Sequence, residues 1–190
     1  MLRCNIQVAI SAILGIALQS RRVTNVADNP FADGFGSGFA RRATENKSTM
    51  ECTINWMGTD GMAFVAQTGS GHMLAMDGAP EGGGHNLAPR PMETVLAGTG
   101  GCTAYDVVLI LKRGRHDVRD CSVQLKAERA ETDPKVFTKL HLHFVVTGKG
   151  LPQAAVERAV ALSHEKYCSA TAMLGRTAEI TASVEVKEAV

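Results

Sequence analysis

Two cysteines, Cys102 and Cys168, are the residues of this sequence best suited to covalent chemistry. Small residues flank each of them, Gly101 before the first and Ser169 after the second, and would let another sulfur approach. Such a pair suits peroxide reduction, in which one thiolate attacks the O–O bond, becomes sulfenic acid and condenses with the second thiol. The attacking thiol needs a cation or helix dipole beside it. The alternative is that both are small buried residues, which is common for free cysteine.

Three further cysteines, Cys4, Cys52 and Cys121, complete a total of five. The sequence has no Cys-x-x-Cys pair and no zinc-ligand spacing. Cys121 falls in an alternating strand pattern, which predicts a core thiol. His141 and His143 share a strand face but have no identifiable third ligand, so we expect an exposed face and not a metal site. An odd cysteine count favours a reducing cytosol over a disulfide scaffold.

Cys102 lies in a long apolar segment, Pro91 to Lys112, that predicts a central helix. Pro91 suits the first helical position, Glu93 suits the first turn, and Gly114 can end the helix. Nearly every side chain between is apolar or small, so we expect burial on most of the circumference. Three glycines, at positions 98, 100 and 101, each cost about 1 kcal/mol relative to alanine, which indicates close approach of a backbone or ligand.

The remaining pattern predicts six strands and further helices around this segment. Alternation at period two predicts a three-strand meander and three later strands, at 51–76, 121–127, 137–147 and 177–186. A glycine-rich loop over 77–90 is expected to be mobile. An amphipathic helix follows Leu151-Pro152, and Cys168 begins a short helix whose dipole favours thiolate. The fold class is α+β, with antiparallel sheets around a buried helix that a second subunit would help to cover.

Composition and the N-terminal segment narrow the possible functions. The 190 residues are 45% apolar and 21% charged with net charge +1, which suits one globular domain and suggests neither nucleic acid nor a membrane as partner.

Residues 1–49 contain an apolar run and then a Gly- and Asn-rich stretch. We interpret them as a disordered extension before a domain at 50–190; a cleaved export signal or an ordered arm are the alternatives.

Four segments carry a resemblance to a known family. They are Met76-Asp-Gly78, Arg90 to Val107 around Cys102, Phe137 to Phe144, and Glu165-Lys-Tyr-Cys-Ser169. From Met50 onward the sequence resembles the OsmC/Ohr family of osmotically inducible and organic hydroperoxide resistance proteins, especially its OsmC-like branch. The resemblance implies an intertwined homodimer that reduces organic hydroperoxides with a dithiol reductant. It implies Cys102 as peroxidatic and Cys168 as resolving cysteine, with no metal, flavin or other cofactor.

The sequence departs from the family pattern at the cation that should hold the thiolate. Well-studied members have an arginine in the first hairpin, whereas the corresponding turn, Gly58 to Gly61, has none. They also place a glutamate directly after the proline, whereas here Glu93 is one residue later, which rotates it by about 100°. Arg90 or Arg113, from this chain or a partner, are the candidate replacements.

The sequence therefore leaves three hypotheses for Cys102 and Cys168, two in which they have a function and one in which they are only structural. The leading hypothesis is a cytosolic, thiol-dependent hydroperoxide reductase that acts against oxidative stress, or an exported one if residues 1–20 are a signal peptide. The rival is a non-catalytic OsmC-like dimer that binds a small molecule or senses redox state, which the missing arginine favours. The third possibility is that both cysteines are only structural.

Overall fold

The first sheet is a meander of short alternating segments. The computed structural model describes residues 49–58 and 60–190, so the interpretations of the N-terminal segment fall almost entirely outside the described residues. Strands β1 (Cys52–Trp56), β2 (Phe64–Thr68) and β3 (Met73–Met76) pair antiparallel in that order. The predicted meander is confirmed. It leaves the apolar side chains of Ile54 and Trp56 about half exposed, at 55% and 51%.

The second sheet is built from longer strands and carries the core. Strands β4 (Asp117–Arg129) and β5 (Phe137–Lys149) pair antiparallel, and β6 (Glu179–Glu188) lies on the other side of β5. Alternation in β5 buries one face of the strand, formed by Leu140, Leu142, Phe144 and Val146. The β5–β6 pair is parallel, so this sheet is mixed and departs at this one pair from the antiparallel pairing expected from the sequence.

The parallel pairing follows from a helical crossover between β5 and β6. It consists of α2 (Gln153–Leu162), a short π-helical turn (Ser163–Tyr167) and α3 (Ser169–Leu174). A crossover of this length returns the chain to the end of the sheet at which β5 begins, so β6 can run parallel to β5. The apolar side of α2, including Val156 and Ala159, is fully buried in the core. The predicted second and third helices are confirmed.

The central helix α1 spans Pro91–Arg113, with the predicted start and end. Its buried residues form one face, which includes Thr99, Thr103, Val107 and Leu111, and it packs against β4, α2 and α3. The opposite face remains exposed, so the described residues of one chain do not bury most of the helix circumference. Length and composition alone would also let this helix cross a membrane, although one of its faces packs against β4, α2 and α3.

The glycine-rich loop before α1 is held by one buried carboxylate. Asp77 is 1% exposed. Its two oxygens accept backbone N–H groups of Gly78 at 2.7 Å, His85 at 3.1 Å and Leu87 at 3.0 Å. These hydrogen bonds lower the pKa of Asp77, and the bond from the Leu87 N–H has the largest effect. The loop expected to be mobile is therefore tied at several points, and it delivers the chain to Pro91 in a defined position.

Candidate active site

The two cysteines singled out from the sequence meet where α1 crosses the start of α3. The Cys168 thiol lies 3.1 Å from the Cys102 sulfur. A disulfide needs an S–S distance of about 2.05 Å, so the sulfurs need to approach by about 1 Å. Both are free thiols in this structure.

The two sulfurs differ in accessibility. Cys102 lies on α1 and is partly exposed, whereas Cys168 is 2% exposed. Cys168 is also the N-cap residue of α3, and its sulfur accepts the backbone N–H of Thr171 at 3.5 Å. The Cys102 side chain is therefore the more accessible of the two from solvent.

A carboxylate, Asp106, is the third polar group at this point. It follows Cys102 by four residues, a spacing that places two side chains on the same face of a helix. The ligand atoms of Cys102, Asp106 and Cys168 all lie within 4.8 Å of one another. Ser163, from the π-helical turn, donates its hydroxyl to Asp106 Oδ2 at 3.1 Å. Sequence reasoning missed Asp106, although the four-residue spacing was a readable signal.

The electrostatics of the site favour the protonated Cys102 thiol. Burial raises the pKa of Cys102, and the hydrogen bond with Cys168 raises it further. The backbone N–H of Ala170 lowers this pKa, whereas the negative charge of Asp106 raises it. No basic side chain of the described residues is among the groups that set it. The cation expected beside a reactive thiolate is therefore not supplied by this part of the chain.

The two other predicted site residues lie at the start of α1, away from the sulfurs. Glu93 accepts the backbone N–H of Arg90 at 2.9 Å and so caps the helix. Nine residues separate Glu93 from Cys102, which corresponds to a rise of about 13.5 Å and to opposite faces of the helix. Arg90 is a further turn away. The structure does not bring either side chain to the cysteines of its own chain.

The other candidates considered from the sequence have local roles. His141 bonds through its two ring nitrogens to Thr181 Oγ1 at 2.8 Å and Ser183 Oγ at 3.0 Å. The His143 ring lies 2.8 Å from the same Ser183 hydroxyl. These rings therefore belong to a polar network on the outer face of the second sheet. Cys121 packs against the core, and burial raises its pKa.

The fold and this cysteine pair place the chain in a known class. Residues 83–183 match the family model described as OsmC-like protein, and the chain belongs to the OsmC-like family. It is 49% identical to Protein YhfA of Escherichia coli K12 over 137 residues, which cover 72% of this chain and 98% of YhfA.

Solved structures show the same fold. A hypothetical protein from Aquifex aeolicus is 31% identical with a TM-score of 0.63, and the match covers 75% of this chain and 98% of that one. An organic hydroperoxide resistance protein OsmC from Legionella pneumophila, also described as a predicted redox protein, is 22% identical with a TM-score of 0.55. That match covers 75% of this chain and all of the other, at 100%.

Proposed function

We propose that this protein reduces organic hydroperoxides by a two-cysteine cycle. The observation that carries the proposal is the 3.1 Å separation of the Cys102 and Cys168 sulfurs. The name of the Legionella relative, an organic hydroperoxide resistance protein, supports the same chemistry. The greater exposure of Cys102 supports its assignment as the peroxidatic cysteine, with Cys168 as the resolving cysteine.

The cycle has three balanced steps. The Cys102 thiolate attacks the terminal oxygen of the hydroperoxide, the O–O bond breaks, and the alkoxide leaves as an alcohol after taking a proton. The Cys168 thiol then attacks the sulfur of the Cys102 sulfenic acid, which forms a disulfide and releases water. An external dithiol reduces the disulfide by thiol–disulfide exchange and becomes a disulfide itself. The sulfurs carry both electrons, so the cycle uses no cofactor.

We propose that the active form is a homodimer. The uncovered face of α1 exposes Tyr105 at 69% and Val95 at 43%. Outside the neighbouring residues of α1 itself, no described atom would lie within 4 Å of a Cβ at Gly98 or Gly101, so this face can accept another backbone closely. Such a partner would also carry its own Arg90 and Arg113, the candidate cations named from the sequence. Sedimentation of the full chain tests this point, and a monomer at all concentrations would refute it.

The domain boundary and the location of the protein are proposals of the same kind. We propose that residues 50–190 form the functional domain and that residues 1–49 are an extension to it. We propose a cytoplasmic location, because an oxidising compartment would tend to join two thiols held side by side and remove the reduced form on which the cycle depends. Peroxide turnover by a chain that begins at Met50 tests the boundary, and loss of activity with the fold intact would refute it.

Steady-state turnover tests the catalytic proposal. The reduced full chain is mixed with tert-butyl hydroperoxide and a dithiol, and peroxide consumption is followed over many equivalents. Cys102→Ser should abolish turnover, whereas Cys121→Ser, a half-buried thiol on β4, should leave it unchanged. After one equivalent of peroxide, peptide mapping should recover the Cys102–Cys168 disulfide. Equal turnover by Cys102→Ser and the unaltered chain would refute the proposal.

The raised pKa of Cys102 supports a second candidate, a redox sensor or small-molecule binder of the same fold. A thiol that is mostly protonated reacts slowly, because the thiolate is the nucleophile. A sensor would form the disulfide once and would not cycle at a useful rate with dithiol present. Many turnovers per chain exclude this candidate, and a single stoichiometric oxidation supports it.

A further inference from the structure

Asp106 has no part in the cycle proposed above, and its charge opposes formation of the Cys102 thiolate. Its carboxylate nevertheless lies within 4.8 Å of both sulfurs and is oriented by a hydrogen bond from Ser163. Ser163 is itself only 1% exposed. The hydrogen bond occupies one carboxylate oxygen and leaves the other available. Carboxylates that bind metals are themselves held by hydrogen bonds of this kind.

We propose that the reduced protein binds one thiophilic divalent cation, Zn²⁺, through Cys102, Cys168 and Asp106. Zinc takes sulfur ligands at about 2.3 Å and carboxylate oxygen at about 2.0–2.2 Å, in a tetrahedron. Those lengths place two sulfur ligands about 3.8 Å apart. The observed separation of 3.1 Å lies between this value and the length of a disulfide. Small side-chain rotations therefore serve either state.

The chemistry of the ligand set favours zinc over harder cations. Two soft thiolates select Zn²⁺ or Cu⁺, whereas Mg²⁺ and Ca²⁺ prefer oxygen ligands only. Three protein ligands leave a fourth tetrahedral position for water. The negative charge of Asp106, which is unfavourable beside a lone thiolate, becomes favourable once a dication lies between the three groups. Ser163 then acts as a positioning residue for the carboxylate.

Metal binding and peroxide reduction compete at this site, a consequence that rests on the proposed function. Zinc withdraws electron density from a bound sulfur and makes it a weaker nucleophile toward peroxide, and a disulfide has no thiolate left for the metal. The cation would therefore protect the cysteine pair or switch it off. Binding itself requires only the reduced thiols and the carboxylate.

Cobalt substitution tests the site directly. The full chain carrying Cys4→Ser, Cys52→Ser and Cys121→Ser keeps Cys102 and Cys168 as its only thiols. It is reduced with a phosphine, freed of metal by a chelator and titrated with Co²⁺ without oxygen. We expect one ion per chain, with thiolate-to-cobalt charge-transfer absorption that Zn²⁺ abolishes on displacement. Absence of that absorption in a folded, reduced protein overturns the proposal.

Variants in that background identify the ligands. Asp106→Asn should weaken Zn²⁺ binding at least tenfold, and Ser163→Ala about tenfold, in the range found for groups that orient ligands. Asp120→Asn, an exposed carboxylate on β4, is the matched control and should bind as tightly as its parent. Equal affinity for Asp106→Asn and its parent overturns the three-ligand site.

A control on the unaltered chain separates the two proposals. Oxidation by a disulfide-forming reagent should abolish cobalt absorption, and phosphine should restore it. Absorption that survives formation of the Cys102–Cys168 disulfide overturns the metal site. Peroxide turnover is measured with a chelator present, so its outcome is independent of metal. A failure of either proposal therefore leaves the other measurement interpretable.

Discussion

The distance between the two sulfurs predicts the kinetic effect of replacing the resolving cysteine. The Cys168 sulfur lies 3.1 Å from the Cys102 sulfur. One thiol within a sphere of that radius around Cys102 corresponds to an effective thiol concentration on the order of 10 M. An external dithiol at about 1 mM is about 10⁴-fold more dilute, so the neighbouring thiol should capture the Cys102 sulfenic acid about 10⁴-fold faster. Cys168→Ser keeps the size of the side chain but removes this nucleophile.

The assay follows the lifetime of the sulfenic acid. Each protein receives one equivalent of tert-butyl hydroperoxide, and a dimedone trap is added at increasing delays before mass analysis. The Cys168→Ser variant should accumulate the Cys102 adduct, and its sulfenic acid should decay at a rate proportional to dithiol concentration. In the unaltered chain and in Cys121→Ser, decay should be fast and independent of dithiol.

Two results would refute this reasoning. The first is an equal yield of adduct in Cys168→Ser and the unaltered chain, because it would mean that the second sulfur does not compete. The second is dithiol-dependent decay in the unaltered chain, because an intramolecular step has no such dependence. Either result would place the resolving nucleophile outside the pair.

Three further perturbations test the electrostatics of the cysteine pair, the packing of α1 and the anchoring of the loop before α1. Asp106→Asn removes a charge that raises the pKa of Cys102, so the pH profile of its alkylation should move to lower pH; an unmoved profile contradicts this. A Cβ at Gly100 would stand 2.7 Å from Leu125 Cδ1, so Gly100→Ala should lose about 1–3 kcal/mol to overpacking and regain about 1 kcal/mol of helix propensity. Chemical denaturation should show a net loss of about 1 kcal/mol, and a more stable variant would contradict the close packing. The pKa of Asp77 is lowered from 3.8, so its contribution to stability is complete above that value and is lost as pH falls through the folded-state pKa. Asp77→Asn should be less stable at neutral pH and lose less on acidification, and parallel acid titrations of the two proteins would contradict it.

The sequence predicted the elements well because their signals are local. Pro91 and Gly114 determine the ends of α1 through backbone chemistry, and period-two alternation gave β5 its buried face. The direction of β6 was not predictable in the same way, because alternation is the same in parallel and antiparallel strands. Only the crossover through α2 and α3 decides it.

The site was predictable to the extent that it depends on residue type and helical spacing. Cysteine chemistry and the family motifs identified Cys102 and Cys168, but their contact depends on how α1 packs against α3, a tertiary arrangement without local signature. Glu93 was a candidate because the family pattern has a glutamate one residue earlier, although that shift turns its side chain by about 100°. Its position in the first helical turn instead makes it a cap, a role that the same sequence also indicated.

The excess of negative charge around Cys102 and Cys168 connects the proposed dimer with the proposed zinc site. Cys102, Cys168 and Asp106 bring together two ionisable thiols and a carboxylate, and the described residues add no cation to the groups that set the pKa of Cys102. Arg90 precedes Cys102 by twelve residues of helix and Arg113 follows it by eleven, which are rises of about 18 Å and 16.5 Å. Neither arginine reaches the sulfurs of its own chain. A thiolate at this site therefore requires positive charge from elsewhere, and the two sources argued above, an arginine of a partner subunit and a bound zinc ion, have opposite effects. The arginine stabilises the thiolate without bonding to its sulfur and leaves it free to attack peroxide, whereas zinc bonds to the sulfur and makes it a weaker nucleophile.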